Sequence, residues 1–255
     1  MKARQSYIWL ARAVTLVALL LFWEAISRHS DYTRFFVGSP VGVAKVIWLW
    51  FAGGEIYHHL GITLLETMLA FIIGTVAALV AGLWFALSPF MGAVADPFIK
   101  AVNTMPRLLL APIFAVWFGL GIWSKVALGV TIVFFVVFFN VFQGVRDVNP
   151  VLLAHVRMLG ATPTQLVRRV YIPSALTWVF SSLHMSVGMA FVGAVIGEYL
   201  GSAAGVGYLI LQAEGTFDID TVIAGIVILT AFALVLDALV TKAERSLLSW
   251  REDNV

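Results

Sequence analysis

Cysteine is absent from this chain of 255 residues. That excludes disulfides, thiol nucleophiles and cysteine-ligated metals, and it leaves the redox compartment open. Charge is scarce as well: 12% of residues are charged and 61% hydrophobic, whereas soluble domains average about 25% and about 45–50%. So little polar side chain cannot cover a water-exposed surface, and the mean hydropathy of +0.97 agrees. Soluble classes are therefore excluded. The net charge of +2 gives no footing for nucleic acid. No G-x-x-x-x-G-K-[ST] loop, H-E-x-x-H pair or G-x-S-x-G elbow is present, and the five histidines have no metal-ligand spacing. The sequence thus predicts no catalytic residue, no metal and no cofactor in this chain; an ATP-driven function would need a separate ATPase.

What the chain has in abundance is apolar runs of membrane length. A bilayer core of about 30 Å needs about 20 helical residues. Uncharged runs at 67–87, 126–145 and 172–196, the last interrupted only by His184, meet that length. Shorter runs at 13–23 and 222–236 extend past flanking charges. A sixth span is expected at about 102–120 despite Pro106, Arg107 and Pro112, since proline and charge are tolerated where neighbours satisfy the freed backbone groups. The amino-terminal run follows Lys2, Arg4 and Arg12 but lacks a small-residue cleavage pattern, so it reads as a retained first span. The fold class is all-α and membrane-integral, with about six spans.

Charge placement gives an independent test of that count. With the amino terminus inside, only Arg28, Arg34, Lys45 and Lys125 of the sixteen Lys and Arg residues fall outside. The segment 199–221 has no basic residue but holds Glu214, Asp218 and Asp220. The asymmetry follows the positive-inside rule and predicts both termini in the cytoplasm.

Two connections are longer than turns. Residues 27–60 read as a short helix at the outer surface, broken at Gly53-Gly54. Residues 145–173 are the most basic stretch: a helix from about Pro150 to Leu159, ended by Gly160-Ala161-Thr162-Pro163, with Thr162 or Thr164 able to cap a second helix. A defined turn, paired prolines and Leu152, Val156 and Leu159 on one face predict a docking element rather than a merely solvated loop.

At this loop the sequence resembles the binding-protein-dependent permeases of ABC importers. Their signature of glutamate, two alanines, glycine and a terminal isoleucine-x-leucine-proline aligns with Ala154-His155-Val156, Gly160 and Val170-Tyr171-Ile172-Pro173. Ala154 stands for the glutamate, and His155 and Val156 for the alanines. Within the superfamily the chain is similar to the nitrate/sulfonate/taurine-type permeases. The matching fragments, in order, include Ser39-Pro40, Gly54-Glu55 with His59 and Thr63, Pro106-Arg107, Trp117-Phe118-Gly119-Leu120-Gly121, Gly197-Glu198, Gly205-Val206-Gly207-Tyr208-Leu209, and Phe217 with Asp220. Relatives often have Gly-Leu-Arg where Ser182-Leu183-His184 stands here, and an arginine where Glu66 stands.

The resemblance implies a type I importer fold. It also implies a permease dimer, two ABC ATPase subunits and an external solute-binding protein. Leu152, His155, Val156, Arg157, Leu159, Gly160, Ala161, Thr162, Pro163 and Pro173 would form the ATPase-coupling element within a loop at 146–173. Residues 1–60 would be a first span with an outer segment, and 61–255 the five-helix core. The implied cargo is a sulfonate-, nitrate- or taurine-like anion or another small organic molecule. The alternative, a self-sufficient channel or secondary transporter, expects paired broken helices and an internal repeat, and the spans read as lacking both.

Single residues carry paired readings. Glu66, beside a span end, is expected to be exposed or capping, with a pathway role as the alternative. His184 is a packing histidine or a pathway contact, and Glu198 a solvated helix end or part of an outer gate. Arg107 would snorkel to the inner headgroups. Phe134, Phe135, Phe138 and Phe139 would face lipid and packed neighbours. Gly74 and Gly82 predict close helix packing.

Overall fold

The computed structural model describes residues 2–247, leaving aside the side chains at 2–6, 89, 175–177, 179–184 and 243–247. Every regular element among the described residues is helical. In chain order these are α1 (Lys2–Ser27), α2 (Asp31–Val37), α3 (Pro40–Gly53), α4 (Glu55–Leu87), α5 (Pro89–Thr104), α6 (Ala111–Phe118), α7 (Ile122–Arg146), α8 (Pro150–Met158), α9 (Pro163–Leu166), α10 (Ile172–Gly201), α11 (Val206–Gly215) and α12 (Ile219–Leu247). Short 3-10 and π turns, Arg107–Leu110 and Val167–Tyr171, lead into α6 and α10. Among the described residues, five segments are long and apolar enough to cross a membrane, and two bent helix pairs also pass that test.

The core is the triple contact of α4, α7 and α10, and small residues make it possible. A Cβ on Gly74 would come within 2.9 Å of the Val133 side chain, and one on Gly82 within 2.8 Å of Val141. One turn earlier on α7, a Cβ on Gly129 would meet Ala70 at 2.6 Å, and one on Gly193 of α10 would lie 2.7 Å from the Gly129 Cα. Where lipid is as apolar as leucine, such backbone approach is what van der Waals attraction between helices requires. Around it pack Ala78, Val137, Val141 and Ala190, all buried. Phe138 belongs to this core too, while Phe134, Phe135 and Phe139 stay partly exposed, as a cluster expected to face both lipid and packed neighbours would.

Three expectations are corrected. First, α4 begins at Glu55, twelve residues before the predicted span, because 55–66 continue the helix despite His58, His59, Gly61 and Glu66. The connection at 27–60, expected as one short helix, accordingly holds two, α2 and α3, bent by 49°. Ser30 and Ser39 cap them, each side chain accepting a backbone N–H. Second, the third span is not one rod. The chain breaks at Met105-Pro106 between Phe90–Thr104 and Arg107–Phe118, which cross at 84°. Proline at 106 lacks the N–H a continuous helix would use and disfavours helical backbone at Met105, whose ψ is 133°. Third, the spans read as lacking paired broken helices, yet two bent helix pairs are present, this one and α2 with α3.

The first helix stands apart. Only 6% of its apolar window is buried; it touches the rest at its carboxyl-terminal end, where Ser27 is buried and the Trp23 indole N–H donates to the Val37 carbonyl at 3.2 Å. Most of its surface is presented to whatever surrounds the chain.

Candidate functional site: a basic hairpin and a buried carboxylate clamp

The bundle carries a distinct polar structure at each end of its core helices. At the end where α7 stops and α10 starts lies the hairpin α8–α9. Asn149 caps α8 by accepting the Val151 N–H at 2.8 Å, and Pro150 fills the first turn, where a missing N–H costs nothing. Gly160, at φ +82°, reverses the chain in the left-handed region, with its N–H on the Arg157 carbonyl at 3.0 Å. Thr162 then caps α9 in a reciprocal box: its hydroxyl accepts the Gln165 N–H, and the Gln165 side chain accepts the Thr162 N–H. Of the two capping threonines foreseen, the first is the one used.

The hairpin has a seated side and an open side. Leu166 and Val148 are buried, and with Leu153 they face the same cleft as Leu87, Val145 and Tyr171. Leu152, His155, Arg157, Thr162 and Pro163 are exposed, Val156 and Ala161 half-buried, and Leu159 is 87% exposed at the tip. Ala154, in the signature-glutamate position, is exposed too. Pro173 lies in the first turn of α10, and Ser174 pins that turn to α7 by donating to the Gly144 carbonyl at 2.8 Å. The ordered turn thus displays Met158 and Leu159 bare beside Arg157.

The opposite end holds what the sequence did not reveal. Glu198, near the end of α10, is fully buried. The Thr63 hydroxyl on α4 donates to Glu198 Oε1 at 2.6 Å, and the Gly207 N–H at the start of α11 donates to Oε2 at 2.7 Å. Thr63 Oγ1 also accepts the Val206 N–H at 3.2 Å, while His59 Nδ1 accepts the Gly205 N–H at 3.0 Å. The carboxylate thus clamps the turn after α10 onto α4. Gly205 is at φ +105°, and a Cβ there would sit 2.2 Å from the Glu198 carboxyl carbon. One on Gly207 would sit 2.6 Å from the Val195 carbonyl. Both glycines of Gly205-Val206-Gly207 therefore make room for a carboxylate.

Two buried charged residues adjoin the clamp. Glu66 is 1% exposed. That overturns the exposed or capping expectation: with α4 starting at Glu55, residue 66 lies three turns inside the helix. Lys125, in the first turn of α7, is also buried and donates to the carbonyls of Leu120 and Gly121, the latter at 2.9 Å. The solvated-end reading of Glu198 is overturned as well, because the α11 turn folds back over it. The side chain of His184 lies outside the described residues. Among the described residues no three His, Asp or Glu side chains converge as metal ligands would.

A second clamp joins distant segments near the same end. Asp220 Oδ1, on α12, accepts the Ser39 N–H at 2.6 Å, at the amino-terminal end of α3. A Cβ on Gly42 would come within 1.9 Å of Asp220 Oδ2. Arg107 is held by Asn103 through both its carbonyl and its side-chain oxygen and lies 4.6 Å from the Phe135 ring centroid, so it packs against α7.

This architecture has known counterparts. Residues 70–249 match the family described as the binding-protein-dependent transport system inner membrane component. Over 97% of this chain and 90% of the relative, it is 30% identical to the putative aliphatic sulfonates transport permease protein SsuC of Bacillus subtilis. It is 32% identical to the formylaminopyrimidine transport permease protein ThiX of Halalkalibacterium halodurans, over 98% of this chain and 99% of the relative. The fold resembles a chain of the inward-facing MetNI methionine ABC transporter, with TM-score 0.64, 17% identity, and coverage of 75% of this chain and 95% of that one. The chain belongs to the inner-membrane components of binding-protein-dependent transport systems and is a permease subunit of an ABC importer.

Proposed function

We propose that two copies of this chain enclose the translocation pathway of a bacterial inner-membrane importer. The hairpin α8–α9 points into the cytoplasm, where each copy seats in an ABC ATPase subunit. Both termini lie on that side, and the Glu198 end faces outward toward a solute-binding protein. The observation that carries this reading is the hairpin, whose seated side is apolar and whose open side presents Leu152, His155, Arg157 and Leu159. The basic residues on the hairpin side support the orientation. Two ATPases can drive transport only through a difference in their affinity for the inward and outward states, and a rigid capped hairpin is a means of transmitting that difference.

Glu198 with Thr63, and Glu66 beside them, form in this reading a far-end gate element, and His184 belongs to the pathway between the two ends. The division at 1–60 and 61–255 carries over as a peripheral first span and a core, with the boundary inside the first turns of α4. The cargo is a small organic solute or anion; similar permeases are named for aliphatic sulfonates, taurine, a formylaminopyrimidine and riboflavin, and selection rests with the binding protein.

Affinity purification of the tagged chain tests the assembly. A complex of two copies with two ATPase subunits is the expected result. A chain that moves solute in liposomes without an ATPase would overturn it.

A further inference from the structure

Glu66 and Glu198 meet inside the bundle. Glu66 lies three residues after Thr63 on α4, and its carboxyl is in hydrogen-bonding contact with that of Glu198. Neither is open to solvent. Glu198 already accepts hydrogens on both oxygens, from the Thr63 hydroxyl and the Gly207 N–H. An ionised carboxylate has no hydrogen to give, so contact between two such groups is repulsive unless one acid keeps its proton. The charges nearby say the same. Lys125, from α7, is within electrostatic range of both carboxyls and is the cation at this site. His59, from α4, accepts the Gly205 N–H at Nδ1 and so adds no positive charge, and Tyr208 of α11 stacks on its ring. One cation with two anions leaves an uncompensated buried charge, which is the costly arrangement. One cation, one anion and one neutral acid balance.

We propose that Glu66 and Glu198 form a proton-binding site, with one proton held between the two carboxyls, Glu66 as its donor and Glu198 as its acceptor. The assignment follows from the partners. Glu198 is the carboxylate that two donors already favour, whereas no donor among the described residues reaches the buried Glu66 Oε2. Loss of the proton sets two like charges against each other at the clamp and works against the Thr63 and Gly207 hydrogen bonds. The α10–α11 turn then comes free of α4. The proton is thus a ligand of the latched state, and any condition that removes it weakens the latch.

Infrared spectra of the purified full chain in lipid nanodiscs provide the direct test. A carbonyl stretch of a buried protonated acid is expected near neutral pH, and Glu66→Gln should remove it. Uptake by the assembled transporter gives the second measurement. Wild-type uptake should fall several-fold as external pH rises, and Glu66→Gln, which keeps the donor without the titration, should abolish most of that fall. Glu198→Gln should lower uptake at every pH. A purely structural role for Glu66 predicts an equal loss at all pH values and an unchanged profile, and that outcome overturns the proposal. So does a wild-type spectrum without the protonated-acid band. That reading needs no variant to fold and does not depend on the transport assignment.

Discussion

Gly193 of α10 approaches Gly129 of α7 so closely that a single added methyl would lie 2.7 Å from the partner's Cα. Because the obstacle is backbone, it cannot turn aside as a flexible side chain would. Gly193→Leu should therefore push α10 off α7, at a cost of about 1–3 kcal/mol or more. The expected outcome is a lower melting temperature and aggregation on size-exclusion chromatography. Gly188 on the same helix has nothing within 4 Å of an added Cβ, so Gly188→Ala should leave the elution profile unchanged. Equal behaviour of the two variants would count against this packing.

The Thr63 hydroxyl serves Glu198 and the Val206 N–H together. Thr63→Val keeps the volume but strands both partners in a buried site, and each unsatisfied group costs roughly 1–3 kcal/mol. Uptake should drop at least several-fold, with membrane insertion retained. Thr63→Ser restores the hydroxyl and should recover most of the activity. A valine variant as active as the serine one would remove Thr63 from the clamp.

At Gly160 the constraint is conformational. Among the described residues nothing beyond its chain neighbours lies within 4 Å of an added Cβ, but φ is +82°, a region that costs an L-residue roughly 1–2 kcal/mol. Gly160→Val should leave insertion intact while abolishing uptake and uncoupling ATP hydrolysis in the assembled complex. Gly160→Asn, which tolerates left-handed backbone, should be milder. Wild-type uptake by the valine variant would argue strongly against the docking role.

Asp220 and Gly42 should prove non-additive. Gly42→Ala forces a methyl into the Asp220 carboxylate, and Asp220→Ala leaves the Ser39 N–H without its acceptor. The double variant removes the clash along with the carboxylate. Its loss of thermal stability should be smaller than the sum of the single losses, by at least about 0.5 kcal/mol. Strict additivity would mean that the two residues do not meet.

The hairpin was legible because its signals are local. Pro150, Gly160, Thr162 and Pro163 each act within a few residues, and together they place both helices and the turn. Gly74 and Gly82 were legible for a similar reason, since glycine at helical spacing in an apolar run has few uses other than close packing. The carboxylate clamp was not legible: Thr63, Glu198 and Gly207 lie on three helices, and hydropathy places a lone acid at the edge of a span. The extra turns of α4 that carry His59, Thr63 and Glu66 inward look like a polar loop until Gly205 and Gly207 are seen to make room for them. The break at Pro106 was visible as a residue, but its angle depends on what α5 and α6 pack against.

One further consequence concerns α10 itself. Its thirty residues run from Ile172 at the hairpin to Gly201 just beyond Glu198, roughly 45 Å at the rise of an α-helix. Hairpin and carboxylate therefore lie at opposite tips of one lever, whose glycine contact with α7 at Gly193 is much nearer the carboxylate than the hairpin. A tilt imposed at the hairpin tip needs no relay through intervening loops to be felt at the carboxylate. The π turn at Val167–Tyr171 is the wrist through which such a tilt would be delivered.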